Sequence, residues 1–496
     1  MTGQGETTTV GTLPTPGTER SRVPATLTRL VWVLWVVSCG ALLAHLFSGE
    51  TWSVTGLVTV DGLTVTMWAT VTFFSGIVHS YSRRYMAGSR TIDEFFTRVF
   101  AFTLVVMVLV AADSLLVFAA AWLVMGLVMA ELVGHVRGWK QARAAAAVAR
   151  RYFLASSGVL SVGLAVLWWT TGATTISGVA TATGSGSPTV LLLVAAGALV
   201  LAAMVQSALL PFHTWLLSSM TAPTPASALM HAGFVNAGGI LLVRFAPVVT
   251  VDAGVMLAIV LVGATSAIGG KLMKTVQTDV KGTLGCSTVG QMGFMLMQAG
   301  LGFFAAAITH LVLHGFYKAY HFLASGSSVA HESPSTAKST GSPGVVGAVV
   351  VAITALAGGA VFALLTGKGL ESGSGLLLTL LVVLSVLLAA RGAVADTSLP
   401  TTLRYGAVPA VALPAIAVYA AVYRVVEGLL AGLPAVGQPA ELTVVHGVVA
   451  LAFVAAFVAI ETGVYRRSER LYVALLNATQ PARETMLTSR EDYNEY

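Results

Sequence analysis

The segment ITHLVLHGFYKAYHFLASGSS sets three histidines and a lysine into an otherwise apolar run. His310, His314 and Lys318 recur at intervals of four, which puts them on one slowly drifting face of a helix, and His321 joins the stripe. Successive members then lie ~6 Å apart along the axis, from a 1.5 Å rise per residue. Water between them would complete a proton wire, because imidazole binds and releases a proton near neutral pH. The competing explanation is a set of satisfied core histidines. A single histidine would favour it; three with a lysine favour a proton path. The HxxxH pair lacks the intervening acid of an HExxH metal site, so a metal is disfavoured.

A second polar constellation surrounds Pro211, in QSALLPFHTWLLSSMTAPTPASALMHAGFVNAGGILLVRF. Proline removes an amide and disrupts the preceding turn. Within a bilayer such a break is tolerated where protein or a watery cavity satisfies the freed groups, and broken helices often mark transporter centres. His213 follows the break and His231 opens the next span; a simple kink with a capping histidine is the alternative. Asp279 and Lys281 stand where another span begins, an inner-face charge cluster by themselves. Glu131 and His135 close a further span, where interfacial anchoring competes with proton handling.

These side chains need apolar helices to hold them. A helix crosses the hydrocarbon core in about twenty residues. Windows of that length predict spans near 27–47, 63–80, 95–112, 114–134, 153–169, 188–220, 225–249 and 254–270, and six more near 283–300, 303–323, 344–366, 374–391, 407–430 and 443–465. The expected fold is therefore an all-α integral membrane protein of about fourteen transmembrane helices. With the N-terminus inside, 23 of the 27 Lys and Arg residues fall in inner segments, from Arg20 to Arg490 and including Lys338. Loops such as 170–187 and 431–442 hold almost none, and a miscounted span would scramble that alternation. Both termini are expected to be cytoplasmic, in the plasma (inner) membrane of a bacterial cell. The exceptions are Arg244, Lys318, Lys368 and Arg424. A charge at mid-span costs ~2.5–3.5 kcal/mol on insertion scales, so such residues face the interior or a wet cavity. Arg244 and Lys368 are expected near span ends, where they can snorkel.

Composition agrees. The chain has 496 residues, 56% apolar and 10% charged, with mean hydropathy +0.83, whereas soluble domains carry roughly a quarter charged residues. The net charge of +6 is dispersed between apolar runs and forms no basic face with interleaved aromatics, which excludes nucleic acid. Cys39 and Cys286 have neither disulfide nor zinc spacing. No P-loop, GxGxxG, haem, iron–sulfur or nucleophile-elbow pattern occurs, so no cofactor is expected in this chain. Residues 1–25 read as a disordered cytoplasmic tail rather than a signal peptide. Residues 26–465 read as a polytopic proton-translocating domain, and 466–496 as a cytoplasmic tail.

The segments DGLTVTMWATVTFFSGIVHSYSRRYM at 61–86, TPASALMHA, QTDVKGTLGCSTVGQMG and the stripe through HFLASGSS at 321–328 resemble the antiporter-like family. That family includes the large proton-pumping subunit of complex I and the Mrp antiporter subunits. The resemblance implies two inverted helical repeats, each with a broken helix. It places His231, Asp279, Lys281, His310, His314 and Lys318 on the central proton path. Within the family, LLPFHTWLLSSMTAPTPASALMHAGFVNAGGILLVRFAPV and the tail RLYVALLNATQPARE are similar to the DabB-type membrane subunits of inorganic carbon transporters. Such subunits imply a large peripheral DabA-like partner on the cytoplasmic side, which binds zinc and carries carbonic-anhydrase-like chemistry.

The sequence also departs from the family pattern. Leu123 follows Trp122 where a glutamate is usual, and Gln206 stands where a lysine precedes the broken-helix proline. The lysine–glutamate pair of the first repeat is thus missing, with Glu131 a possible substitute, which argues against full ion pumping of the complex I kind. Lys368, in LLTGKGLES, is a candidate for the second repeat's broken-helix lysine. The leading expectation is a non-enzymatic, proton-conducting subunit that uses proton influx to drive CO2 or bicarbonate accumulation. The alternatives are a subunit of a redox-driven pump or cation/proton antiporter, and a non-conducting membrane anchor.

Overall fold

The computed structural model describes residues 21–184, 188–325, 344–369, 373–395 and 400–486. Most of the expected N-terminal tail, Lys338, and the end of the C-terminal tail with Arg490 lie outside them. The helices run in order Val23–Ser48 (α1), Gly62–Tyr85 (α2), Ile92–Ala111 (α3), Leu115–Val133 (α4), Lys140–Thr171 (α5), Ile176–Thr183 (α6) and Val190–Gln206 (α7). Then come Thr214–Ser218 (α8), Thr224–Ala232 (α9), Ala237–Arg244 (α10), Ala246–Val249 (α11), Ala253–Lys274 (α12), Val280–Gly300 (α13) and Phe304–Leu323 (α14). The last group is Val345–Thr366 (α15), Gly375–Ala395 (α16), Thr401–Leu430 (α17), Val444–Thr462 (α18), Val464–Arg467 (α19) and Glu469–Ala478 (α20). A short antiparallel hairpin, Trp52–Val54 (β1) with Val58–Val60 (β2), joins α1 to α2 and was not expected from the sequence.

Helix starts follow local chemistry. Asp61, Ser114, Thr175, Thr189, Asp252 and Asp279 each accept a backbone amide of the first turn, which satisfies a donor the helix cannot. Each of the fourteen predicted spans has a helical counterpart. Among the described residues ten segments are long and apolar enough to cross a membrane. α13 and α14 are not among them, because they carry Gln291 and Gln298, and three histidines with Lys318, respectively. α7 and the described apolar part of α16 are short.

Exposure distinguishes lipid-facing from central helices. α1 turns Val33, Val36, Val37 and Phe47 outward, and α18 does the same with Val444, Val448 and Leu451. The α9–α10 segment is almost wholly buried. The predicted span 225–249 is not one helix: a 3₁₀ turn at Phe234–Asn236 and a bend at Phe245 divide it.

The break near Pro211 begins earlier than the proline. α7 stops at Gln206, and Ala208 adopts a positive φ of 54°. The freed backbone is satisfied locally: Trp215 Nε1 donates to the Val205 carbonyl at 2.9 Å, and Leu210 N donates to Ser266 Oγ at 3.2 Å. Polar groups at membrane depth thus find protein partners rather than lipid.

Arg244 does not snorkel. Its side chain is 7% exposed and pairs with the Asp61 carboxylate, Thr64 Oγ1 and the Val110 carbonyl. Burial between α2, α3 and α10 turns an expected surface anchor into an interhelical tie.

Candidate functional site

α14 delivers the stripe into the core. The His310 and His314 rings are 5.8 Å apart at their centroids with planes 21° from parallel. Lys318 is fully buried, and its Nζ donates to the Leu284 carbonyl on α13 at 2.8 Å. That carbonyl also accepts the Thr288 hydroxyl at 2.9 Å. Thr288 Oγ1 in turn lies 2.9 Å from His231 Nδ1 on α9. With its hydrogen spent on Leu284, the hydroxyl accepts, so His231 Nδ1 is the donor and Nε2 carries the free lone pair. His231 stacks on Phe322 at 4.3 Å, and His310 packs against Phe294 at 5.5 Å.

His231, Lys318, His314 and His310 therefore form one buried chain across α9, α13 and α14. Both ring nitrogens of His314, Nε2 of His310 and Nε2 of His231 meet no hydrogen-bonding protein atom among the described residues. Buried polar atoms are normally satisfied, so this row of open positions suits groups that exchange protons with water or with one another. Tyr317 and Tyr320 flank His321, which sits at the less buried end of the helix.

Other predicted residues lie elsewhere. Lys281 Nζ donates to the Met220 and Ala222 carbonyls at 3.2 and 3.0 Å, pinning α13 to the turn before α9. Asp279 caps α13 through Gly282 N at 2.7 Å. His213 Nε2 donates to the Ala478 carbonyl at 2.8 Å, linking the helix break to the end of α20. Glu131 accepts from Arg98 and Arg150 at 3.2 and 2.8 Å in a half-exposed network at the Arg-rich face. His135, in the turn after α4, belongs to that network. Burial and then the Arg98 charge hold its imidazole below the ordinary value, consistent with Nδ1 accepting from Arg98 at 3.3 Å. Lys368 pairs with Glu427 at 3.1 Å. Gln206 is wholly buried, with neither amide atom partnered among the described residues, and Leu123 is half-buried. No three His, Cys, Asp or Glu side chains gather as a metal-ligand group among the described residues.

Thr288, the Leu284 carbonyl and Glu427 were not singled out from sequence. Thr288 lies inside a quoted motif without a visible role. Glu427 was detectable as an acid three residues after Arg424 within an apolar span.

Residues 112–340 match the family described as NADH:quinone oxidoreductase/Mrp antiporter, TM, and residues 47–96 match NADH-Ubiquinone oxidoreductase (complex I), chain 5 N-terminus. The chain is 40% identical over 286 residues to the probable inorganic carbon transporter subunit DabB1 of Halothiobacillus neapolitanus, covering 56% of this chain and 50% of that protein. It is 37% identical over 326 residues to the probable DabB subunit of Bacillus subtilis, covering 64% and 62%. NADH-quinone oxidoreductase subunit L of Mycobacterium tuberculosis is 34% identical over 277 residues, covering 54% and 43%. The matches thus span about half the length of these relatives. A chain of the Mrp complex from Dietzia sp. shares the fold, with TM-score 0.55 at 22% identity, over 95% of this chain and 51% of that one. Two family matches over the stripe and its flanking helices, DabB-like sequence and an Mrp-like fold agree: the chain is a multi-pass membrane protein similar to the antiporter-like transmembrane subunits of complex I and Mrp, and to the DabB subunits of that kind.

Proposed function

We propose that the chain conducts protons across the plasma membrane of a bacterial cell as the membrane subunit of an energy-coupled inorganic carbon uptake complex. The observation that carries this reading is the buried His231–Lys318–His314–His310 chain, with open ring nitrogens, the His310 and His314 rings 5.8 Å apart, and Lys318 joined to His231 through the Leu284 carbonyl and Thr288. Each member can hold and release a proton, and apolar helices exclude competing solvent around them. The Arg- and Lys-rich face is the cytoplasmic one, by the charge bias of membrane loops. A peripheral zinc-binding, DabA-like partner would sit there and perform the CO2 hydration that proton influx drives. Similarity to DabB subunits supports this coupling over a redox-driven pump.

The test is proton flux in vesicles containing the chain with its partner, followed by a pH-sensitive dye, alongside uncoupler-sensitive carbon uptake. Wild type should acidify the lumen or the cytoplasm under an imposed gradient. In His314→Ala the remaining His310 and Lys318 lie ~12 Å apart along the axis, so flux and uptake should fall at least about ten-fold. Protein level should hold, since removing a polar group seldom prevents insertion. Lys318→Met should behave likewise. Wild-type rates in both variants would make the stripe structural and the chain an anchor.

A further inference from the structure

At the face opposite the arginine-rich one, a cavity of about 810 Å3 opens between the ends of α1, α3, α10 and α17 and the starts of α2 and α6. Its wall holds His45, Asp61, Asp113, Arg244 and Arg424. Charges of both signs at a membrane protein's edge call for water rather than lipid tails. The volume has room for roughly 25 waters at ~30 Å3 each.

Arg424 connects this cavity to a second ionic cluster. Its Nη1 donates to Glu427 at 3.0 Å, the Tyr423 hydroxyl donates to Glu427 at 3.1 Å, and Lys368 Nζ lies 3.1 Å from the same carboxylate. Lys368 also stands over the Phe303 ring at 5.8 Å. Phe303 immediately precedes α14, and His310 follows it by seven residues, ~10 Å along the axis. The loop at Leu301 is fixed there by Ser374 Oγ and Ala440 N, both donating to its carbonyl at 3.0 Å. The cluster therefore lies at the His310 end of the stripe, with the cavity beyond it.

We propose that Glu427 is the outer proton-exchanging group of this protein, fed from the cavity and coupled to the His310 end of the stripe through Lys368. This rests on the conducting function proposed above. A hydronium in the cavity protonates the Glu427 carboxylate and leaves a water. The neutral acid releases Lys368, whose ammonium gives its proton to a water on the His310 side. Lys368 then takes the Glu427 proton, restoring the ion pair; net, one proton has moved inward. Arg424 is a positioning residue, standing on the cavity wall and holding the carboxylate beside it at 3.0 Å.

Two measurements test this independently. With Cys39 and Cys286 replaced by serine, Gly428→Cys and Gly432→Cys place thiols on the cavity wall, and neither added Cβ meets an atom within 4 Å. A membrane-impermeant thiol reagent applied outside intact cells should label both, and should leave Gly197→Cys, on the apolar helix α7, unlabelled. Failure to label both would overturn the vestibule whether or not the chain conducts. In vesicles with the partner, Glu427→Gln should cut flux at least about ten-fold, with Glu427→Asp recovering part of it. Wild-type flux in Glu427→Gln, against a conducting wild type lost in His314→Ala, would overturn the role of Glu427 alone. A non-conducting wild type would instead remove the function on which that role rests, leaving labelling to decide the vestibule.

Discussion

The same residue type is used in two ways within this protein. His213 and His446 sit at helix starts, where one ring nitrogen of each has a backbone partner, the Ala478 carbonyl for His213 and the Thr443 amide for His446. His310 and His314 have unpartnered ring nitrogens and rings 5.8 Å apart at their centroids. Each of these histidines keeps at least one ring nitrogen without a partner among the described residues, and what sets the stripe apart is that His310 and His314 stand beside each other on one helix with Lys318 four residues on. Arg244 and Asp61 belong with the tied residues, and their removal has a calculable consequence. Breaking a buried pair costs ~3–5 kcal/mol, because the surviving charge is stranded. Arg244→Leu should therefore lower protein level and the detergent-solubilised Tm. Asp61→Asn combined with Arg244→Gln should recover most of the loss. The pH dependence has a definite sign. Burial pushes the Asp61 carboxyl up, but Arg244 and the Thr64 hydrogen bonds more than offset that, so it ionises below the ordinary carboxylate value. A carboxyl depressed in this way stabilises fully above its unfolded value of about 3.9 and loses that contribution as pH falls through the lower folded value. In Arg244→Leu the same burial is no longer offset, so the stranded Asp61 takes up its proton above the ordinary carboxylate value, and the gap between wild type and variant should already narrow above about pH 4. A gap that stays constant down to about pH 4 would show that another group carries the stability.

α12 and α13 pack through small residues. A Cβ on Gly293 would stand 2.5 Å from Ala267 N and 2.6 Å from the Gly263 carbonyl, both backbone atoms that cannot yield. This approach, usual for membrane helices with small interfacial residues, fixes the position of α13 and hence of the Leu284 carbonyl that holds Lys318. Gly293→Ala should separate the helices, cost about 3 kcal/mol as a lowered Tm, and reduce flux. Gly197→Ala, in open space on α7, should be neutral or slightly stabilising. Much of this element-scale organisation was legible beforehand. The four-residue spacing of His310, His314 and Lys318 put them on one helix, Pro211 marked the break, and the positive charges ordered the spans. Pairings across long sequence separations were not legible. Nothing local links Arg244 to Asp61 or Lys368 to Glu427, and those ties arise only when helix ends meet. The break begins at Ser207, in the turn that Pro211 disrupts, and which side chains satisfy the freed backbone there, Trp215 and Ser266, was not legible beforehand.

At the scale of the whole molecule, ionisable groups now run from one face to the other. Lys281 and the arginine-rich network lie at one end, the stripe in the middle, and Lys368, Glu427 and the cavity at the other. On the function proposed above, such a path would move protons. Hydrating CO2 at useful rates calls for an open metal site with three protein ligands, and no trio of His, Cys, Asp or Glu gathers among the described residues. On that proposed function, the work of a proton gradient would be delivered to a partner polypeptide, and the face proposed for delivery is the one bearing Glu131, Arg150 and the α19–α20 segment. α20 is tied to the helix break through Ala478 and His213, and Ala482 N donates to Ser218 Oγ at 2.9 Å. A partner seated on this segment would sense movement at the break directly. The expected outcome is strict division of labour. Expressed alone in cells lacking carbonic anhydrase, the chain should not restore growth at ambient CO2. Co-expressed with a zinc-site partner it should, and the same co-expression with His314→Ala should fail while the two proteins still co-purify. Rescue by the single chain would place the carbon chemistry within it. Rescue by the partner with His314→Ala would leave the stripe no part in driving that chemistry.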